Sequence, residues 1–483
     1  MDDGEMIAPP LKSMKNLRFE PRHSGFLFVF TSLIVSLLLL LGAPFADAQG
    51  SDFSPLKEDS GALLRLLGAC QRTYEEELDQ IPSKNRKDFL EVYNERWENV
   101  KAKFDKQEIY TSVVAQEYLD ALVAEITKAN PVLRGHPFRC YFSRSGIPNA
   151  SYIGEGVILF NMGLFQRLDN ESEAAWVLCH EISHFLLRHQ ENGIAKYVAT
   201  INSEEVQAEL HKIKGSEYRK RERLQSLVKG MTFDSRRHSR DHEAQADSMG
   251  VELLRNTPYA LSGALTALAL LDKIDADSLN MAVCLPQLFN SKDYPFQKRW
   301  LAKEEGLLGG HAHIGKEGIE DSLKTHPDCL LRMRVLTPVI NRIAATGSAT
   351  FVVDEKRFAE LQRIFRYEGI EYAYVSKAYS QSLFLTMDLL RKRPADAYLV
   401  AQVGRLLNEL YLAQKAHMLS RVTDLPSPEY PANYNLLLQF IQNLYMEDLA
   451  AISFYYLDQY HPQLDHYSAF KNAYDQSVRS MKP

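Results

Sequence analysis

The chain has 483 residues, with 56 Lys and Arg against 62 Asp and Glu and a formal net charge of −6. That length exceeds one ordinary hydrophobic core, so a main domain and a second helical region are expected. A mildly acidic balance without a basic excess argues against nucleic acid or an anionic lipid surface as the main partner. Five cysteines, odd in number and far apart, exclude a dense disulfide framework and a C-x-x-C metal site, and allow at most two bridges.

At the N-terminus, Lys15, Arg18 and Arg22 precede an uncharged apolar run from Phe26 to Leu41, and Ala46-Asp47-Ala48 follows. This order reads as a signal peptide over residues 1–48, cleaved near Ala48, because the apolar run is shorter than the about 20 residues a spanning helix needs. The acidic opening is unusual before such a segment, and Met14-Lys15 is a normal start for one. An exported protein, periplasmic or secreted, is the expectation; an uncleaved segment would leave it membrane-associated.

Residues 49–60 are polar, carry Pro55 and read as a linker; from Gly61 to Asn130 apolar residues recur at helical spacing. Between Arg139 and Phe165, β-branched and aromatic residues broken by Gly146, Pro148, Gly154 and Gly156 predict a small hairpin or sheet. Asp169 to Glu171 supply a cap and first-turn acids for a helix over 172–189. Residues 203–229 are crowded with charge and read as solvated helix before another helix starting near Asp241. A loop over 306–318 holds His311 and His313 among five glycines and reads as surface rather than as a second metal site. From Glu355 to Val478, amphipathic stretches such as Ser380 to Leu390 predict stacked helical hairpins, without a clear repeat period.

The chemistry concentrates in His180-Glu181-Ile182-Ser183-His184. On a helix, the i,i+4 spacing puts both imidazoles on one face, where they can grip one metal ion, with Glu181 beside it as the base for an attacking water. Such a pentapeptide arises by chance in about 3% of chains of this composition, so a third ligand decides the matter. Leu187 and Gln190 stand where the long His-ligand form of the motif has glycine and histidine, which excludes that form. Asp241-His242-Glu243-Ala244-Gln245-Ala246-Asp247 offers a glutamate about sixty residues downstream, the usual alternative in zinc sites. Glu243 is therefore the third candidate ligand. Asp247, one turn on, is expected to accept the free ring N–H of His180 and fix its tautomer, with Arg240 offsetting the local negative charge. Cys179 precedes the first ligand but points about 100° away on a helix, so it reads as a buried small hydrophobe.

Five stretches now carry a resemblance: Pro148-Asn149-Ala150, Asn161-Met162-Gly163-Leu164, His180 to His184, Ser239-Arg240 through Glu243 to Asp247, and Thr325-His326-Pro327 with Arg332 downstream. Together they span about two hundred residues and resemble the gluzincin metallopeptidases of family forty-eight, which includes the CAAX prenyl protease and the bacterial heat-shock membrane protease. No further apolar segment approaches spanning length, so the chain looks like a soluble, exported branch, and no integral membrane segment is expected after signal cleavage.

The resemblance implies a mainly α fold with a small β-sheet, an α+β zincin-type domain over 61–345, and the helical periodicity beyond it predicts a C-terminal α-helical domain over 350–483. It implies one Zn2+ per chain and hydrolysis of peptide bonds in protein or peptide substrates. The strand from Tyr152 to Leu159 should border the cleft, with Asn149, Ala150, Tyr152 and Gly154 contacting an extended substrate through main-chain hydrogen bonds. His326 is a candidate to stabilise the oxyanion or to cover the metal in a latent enzyme. Two other classes of reading stand beside this one: an envelope chaperone or adaptor that binds a protein partner on its C-terminal helices, and a structural metal protein with a closed four-ligand site.

Overall fold

Alternation of side chains along one strand organises the first half of the molecule. The computed structural model describes residues 53, 55–215, 240–273, 279–302, 329–427 and 430–482. Within them lie strands β1 (Ile109–Tyr110), β2 (Arg139–Ser143), β3 (Ala150–Gly154) and β4 (Val157–Asn161), ordered β1-β2-β4-β3 in one sheet. β4 pairs parallel with β2 and antiparallel with β3. Val157 and Leu159 enter a small core with Leu66, Cys70, Trp97 and Phe104, whereas Ile158 and Phe160 face the main core. Burial on both faces explains why β4 reads as an unbroken apolar run.

The stretch read as one strand from Tyr152 to Leu159 is therefore a hairpin. Gly154, Glu155 and Gly156 all have positive φ, at 99°, 48° and 72°, and this turn sends the chain back so that β3 forms one edge of the sheet, opposite the β1 edge. A side chain at Gly156 would meet the Pro137 carbonyl at 2.7 Å, so only glycine fits this turn.

The early helices and the motif helix fall close to where the sequence placed them. Helices Ser60–Asp79, Arg86–Asp105 and Val113–Ala129 occupy the early helical region. The motif helix runs Glu171–Leu186, three residues shorter at its end than the sequence suggested, and a second helix, His189–Ile201, follows. Arg188, at φ 52°, makes the break between them. All five cysteines are free, and Cys179 is fully buried, its thiol pushed up by that burial.

The motif helix is anchored at its N-terminus. The Asn170 side chain accepts from the Glu173 N–H at 3.2 Å. Fully buried Glu171 accepts from the N–H groups of Val352, Val353 and Asp354 at 2.7, 2.8 and 2.8 Å, and from the Tyr118 hydroxyl at 2.8 Å. Asp354 in turn caps helix Glu355–Val375. That long helix gives Phe358, Leu361 and Phe365 to the main core and Tyr367 and Ile370 to a second core, built by the helices after residue 375 together with Met281, Leu285, Phe289 and Trp300. Phe53, from the stretch read as a linker, stacks on Tyr367 at 5.0 Å.

The molecule is mainly helical with one small sheet. Among the described residues no helix is long and apolar enough to cross a membrane. The signal segment 1–48, the glycine-rich loop with His311 and His313, and His326 lie outside the described residues.

Candidate metal centre

Two helices meet where the chemistry was expected. Residues 240–255 form a helix that crosses the motif helix at Gly250, where a Cβ would lie only 3.3 Å from the backbone N and Cα of His180. Close approach there, with Ala246 fully buried one turn earlier, brings Glu243 to the face that carries His180 and His184.

The donor atoms converge. Nε2 of His180 lies 3.1 Å from Nε2 of His184, and these nitrogens lie 3.5 and 3.4 Å from the two carboxylate oxygens of Glu243. Ligands about 2.0–2.2 Å from a tetrahedral zinc must be about 3.4 Å from one another, so the three positions fit that ion without rearrangement. They are also the only such cluster of three His, Cys, Asp or Glu among the described residues.

The outer ring nitrogens explain why these donors face inward. Nδ1 of His180 is 3.0 Å from Oδ1 of Asp247, which can only accept, so Nδ1 carries the ring proton there and Nε2 is the nitrogen left to face a metal ion. Nδ1 of His184 is 2.9 Å from Nδ1 of His189, whose Nε2 lies 3.0 Å from the Gln245 amide oxygen. Burial pushes His189 down to about 4 despite the Gln245 bond, so its ring is neutral. Gln245 then accepts from Nε2–H of His189, whose bare Nδ1 accepts from Nδ1–H of His184, and Nε2 of His184 is also left bare. Two lone pairs and a carboxylate pointed at one spot repel each other unless a cation sits between them. The His242 ring stacks on His189 at 4.2 Å and holds that partner in place.

Charge around the cluster is balanced by Arg332, on helix Cys329–Ile340. It donates to Asp247 through Nε at 2.8 Å and Nη2 at 2.6 Å, and its Nη1 lies 3.1 Å from Glu243. Arg240 lies exposed at the start of its helix. Burial would raise the pKa values of Glu243 and Asp247, but bonds to the histidines and to Arg332 hold both carboxyls below their usual range. His180 is driven the other way: burial opposes its charge, yet Asp247 and Glu243 raise it to about 9, so without a metal ion a proton sits between Nε2 and Glu243 and a bound cation must displace it.

Glu181 lies in the wall of the same cleft, and burial raises its pKa against the pull of both histidines. A carboxylate shifted upwards is a better proton acceptor at neutral pH. Its Oε2 accepts from the Tyr152 N–H at 2.9 Å, which ties it to β3. The cleft encloses about 330 Å³; Asn149, Ala150 and Tyr152 line it beside Trp176 and Leu271. Gly154 lies outside the lining, at the hairpin turn.

Sequence reading missed three contributors: His189, Gln190 and the pairing role of Arg332. Each depends on the break at Arg188 or on a helix about ninety residues downstream. The only signal for His189 was its nearness to His184, and on an unbroken helix five residues would turn it about 140° away.

Two histidines one turn apart, a carboxylate from a second helix and a buried glutamate beside them define the metallopeptidase class. Residues 114–340, a little under half of the chain, match the model of Peptidase family M48, and this match supports a metallopeptidase of that family. No curated protein matches the chain.

Proposed function

We propose that the chain is a zinc-dependent metalloendopeptidase acting on proteins of the cell envelope, in protein quality control. One zinc is held by His180, His184 and Glu243, and supplies Lewis acidity that polarises a scissile carbonyl and acidifies water. Glu181 takes a proton from the attacking water and delivers it to the departing amine. Asp247 and His189 hold the two imidazoles in the tautomers that ligation needs. Asn149, Ala150 and Tyr152 receive an extended substrate along β3.

The observation that carries this reading is the spacing of the three donors, 3.1–3.5 Å apart, with Glu181 in the same cleft. Export rests on the N-terminal 1–48 pattern, and the helical domain over 350–483 is the surface for a protein partner. The test is elemental zinc analysis with casein hydrolysis on purified protein and Glu181→Gln. One zinc per chain in both, with turnover abolished by the substitution, supports the peptidase. Zinc without turnover in either supports the adaptor reading, and absence of zinc refutes the site.

A further inference from the structure

The outer edge of β3 is the one edge of the sheet that faces the cleft, and both main-chain groups that Tyr152 turns outward are engaged. Its N–H is held by Glu181 Oε2, and its carbonyl accepts from Gln190 Nε2 at 2.8 Å. Tyr152 stands opposite Ile158 in the β3–β4 register. Its N–H and carbonyl therefore point away from β4, as in the non-hydrogen-bonded pairs of an antiparallel ladder. An extended peptide added to this edge must offer its own N–H to the Tyr152 carbonyl. Gln190 Nε2 sits at that position.

The side-chain amide of Gln190 copies a peptide group, but only half of it is satisfied. Because a carbonyl can only accept, the amide must present its nitrogen to Tyr152. Its Oε1 is buried without a hydrogen-bond partner, close to Gly154. An unpaired buried acceptor carries a desolvation penalty. When a substrate N–H replaces Nε2, the bond to Tyr152 is exchanged for an equal one, and the freed Oε1 can reach water. The contact is therefore cheap to displace. Gln190 is positioned by the break at Arg188, which starts the next helix one residue before it and turns the side chain back into the cleft.

We infer that Gln190 is a built-in competitor for the substrate main chain, occupying the pairing position at the Tyr152 carbonyl and raising the substrate concentration needed to fill the cleft. The inference rests on the peptidase reading above and on β3 as the substrate edge.

The experiment compares zinc-loaded full chain with Gln190→Ala and with Gln190→Met, which keeps the volume and loses the amide. KM and kcat are measured on a quenched fluorescent peptide, with zinc content measured in parallel. Removing one neutral competing hydrogen bond lowers KM about three- to tenfold in both variants, with kcat and zinc content unchanged. In a series of singly N-methylated peptides, the difference between wild type and Gln190→Met disappears at one position. An unchanged or higher KM in both variants overturns the inference, since Gln190 would then be a wall residue or a substrate anchor. If the wild type hydrolyses no peptide, the peptidase reading fails on its own. Fluorescence anisotropy of the same labelled peptide then decides the role of Gln190: tighter binding to Gln190→Met supports it, and equal or weaker binding overturns it.

Discussion

Replacing Asp247 by asparagine keeps the shape of the side chain and removes one charge from the most enclosed part of the centre. Asp247 is 2% exposed and uses both oxygens: Oδ1 accepts from His180 Nδ1 at 3.0 Å and Arg332 Nη2 at 2.6 Å, and Oδ2 accepts from Arg332 Nε at 2.8 Å. An amide cannot serve all three donors. With its oxygen at the Oδ1 position, its NH2 group faces the Nε–H of Arg332; flipped, it faces both His180 and Nη2. The first orientation is preferred because it strands one donor rather than two. Breaking a buried charge pair from one side costs about 3–5 kcal/mol, and the lower end of that range applies because Glu243 still faces Arg332 at 3.1 Å. A loss of about 3 kcal/mol in stability is expected for the metal-free protein. His180 also loses the acceptor that fixes its tautomer, and such losses weaken metal binding about 10- to 100-fold. Zinc affinity is measured by competition with a chromophoric chelator, and stability by urea unfolding of metal-free protein. Unchanged zinc affinity in a folded Asp247→Asn protein would refute the argument that the Asp247 bond prepares His180 for ligation.

Other substitutions separate roles within and beneath the site. Glu181→Gln should retain zinc and lose most turnover, whereas His184→Ala and Glu243→Ala should lose zinc as well; equal zinc loss in all three, by elemental analysis, would contradict the division. Glu171→Ala leaves the N–H groups of Val352, Val353 and Asp354 without their acceptor. At about 1–3 kcal/mol for each buried orphan, destabilisation of at least about 3 kcal/mol is expected in urea unfolding, and a change below 1 kcal/mol would show that water replaces the carboxylate. Glu155, fully buried beneath the hairpin, has its carboxyl pushed up to about 7 by burial, against the Arg96 guanidinium 2.9 Å away. The folded state binds that proton more tightly than the unfolded state. The resulting stability, about 3 kcal/mol, is present below the unfolded pKa and lost as pH rises through the folded value. Between pH 4.5 and about 7, the stability of Glu155→Gln should therefore depend less on pH than that of wild type, and parallel curves would refute the assignment.

The sequence by itself determined the parts of the centre that depend on local geometry. Helical periodicity places His180 and His184 on one face whatever surrounds them, and a glutamate with an aspartate one turn later does the same for Glu243 and Asp247. Apolar runs and turn residues likewise marked the sheet and the helical second half, because burial and periodicity are written into residue order. Tertiary structure decided what depends on where the chain goes next. Leu187-Arg188-His189 contains neither glycine nor proline, yet Arg188 adopts φ 52° and returns His189 and Gln190 to the site. Arg332 faces the carboxylates because its helix, about ninety residues further along the chain, packs over them. The single strand expected from Tyr152 to Leu159 became a hairpin at three positive-φ residues, which left β3 at one edge. Spacing along the chain fixes which groups share a face; which partners meet that face is set by packing between elements far apart in sequence.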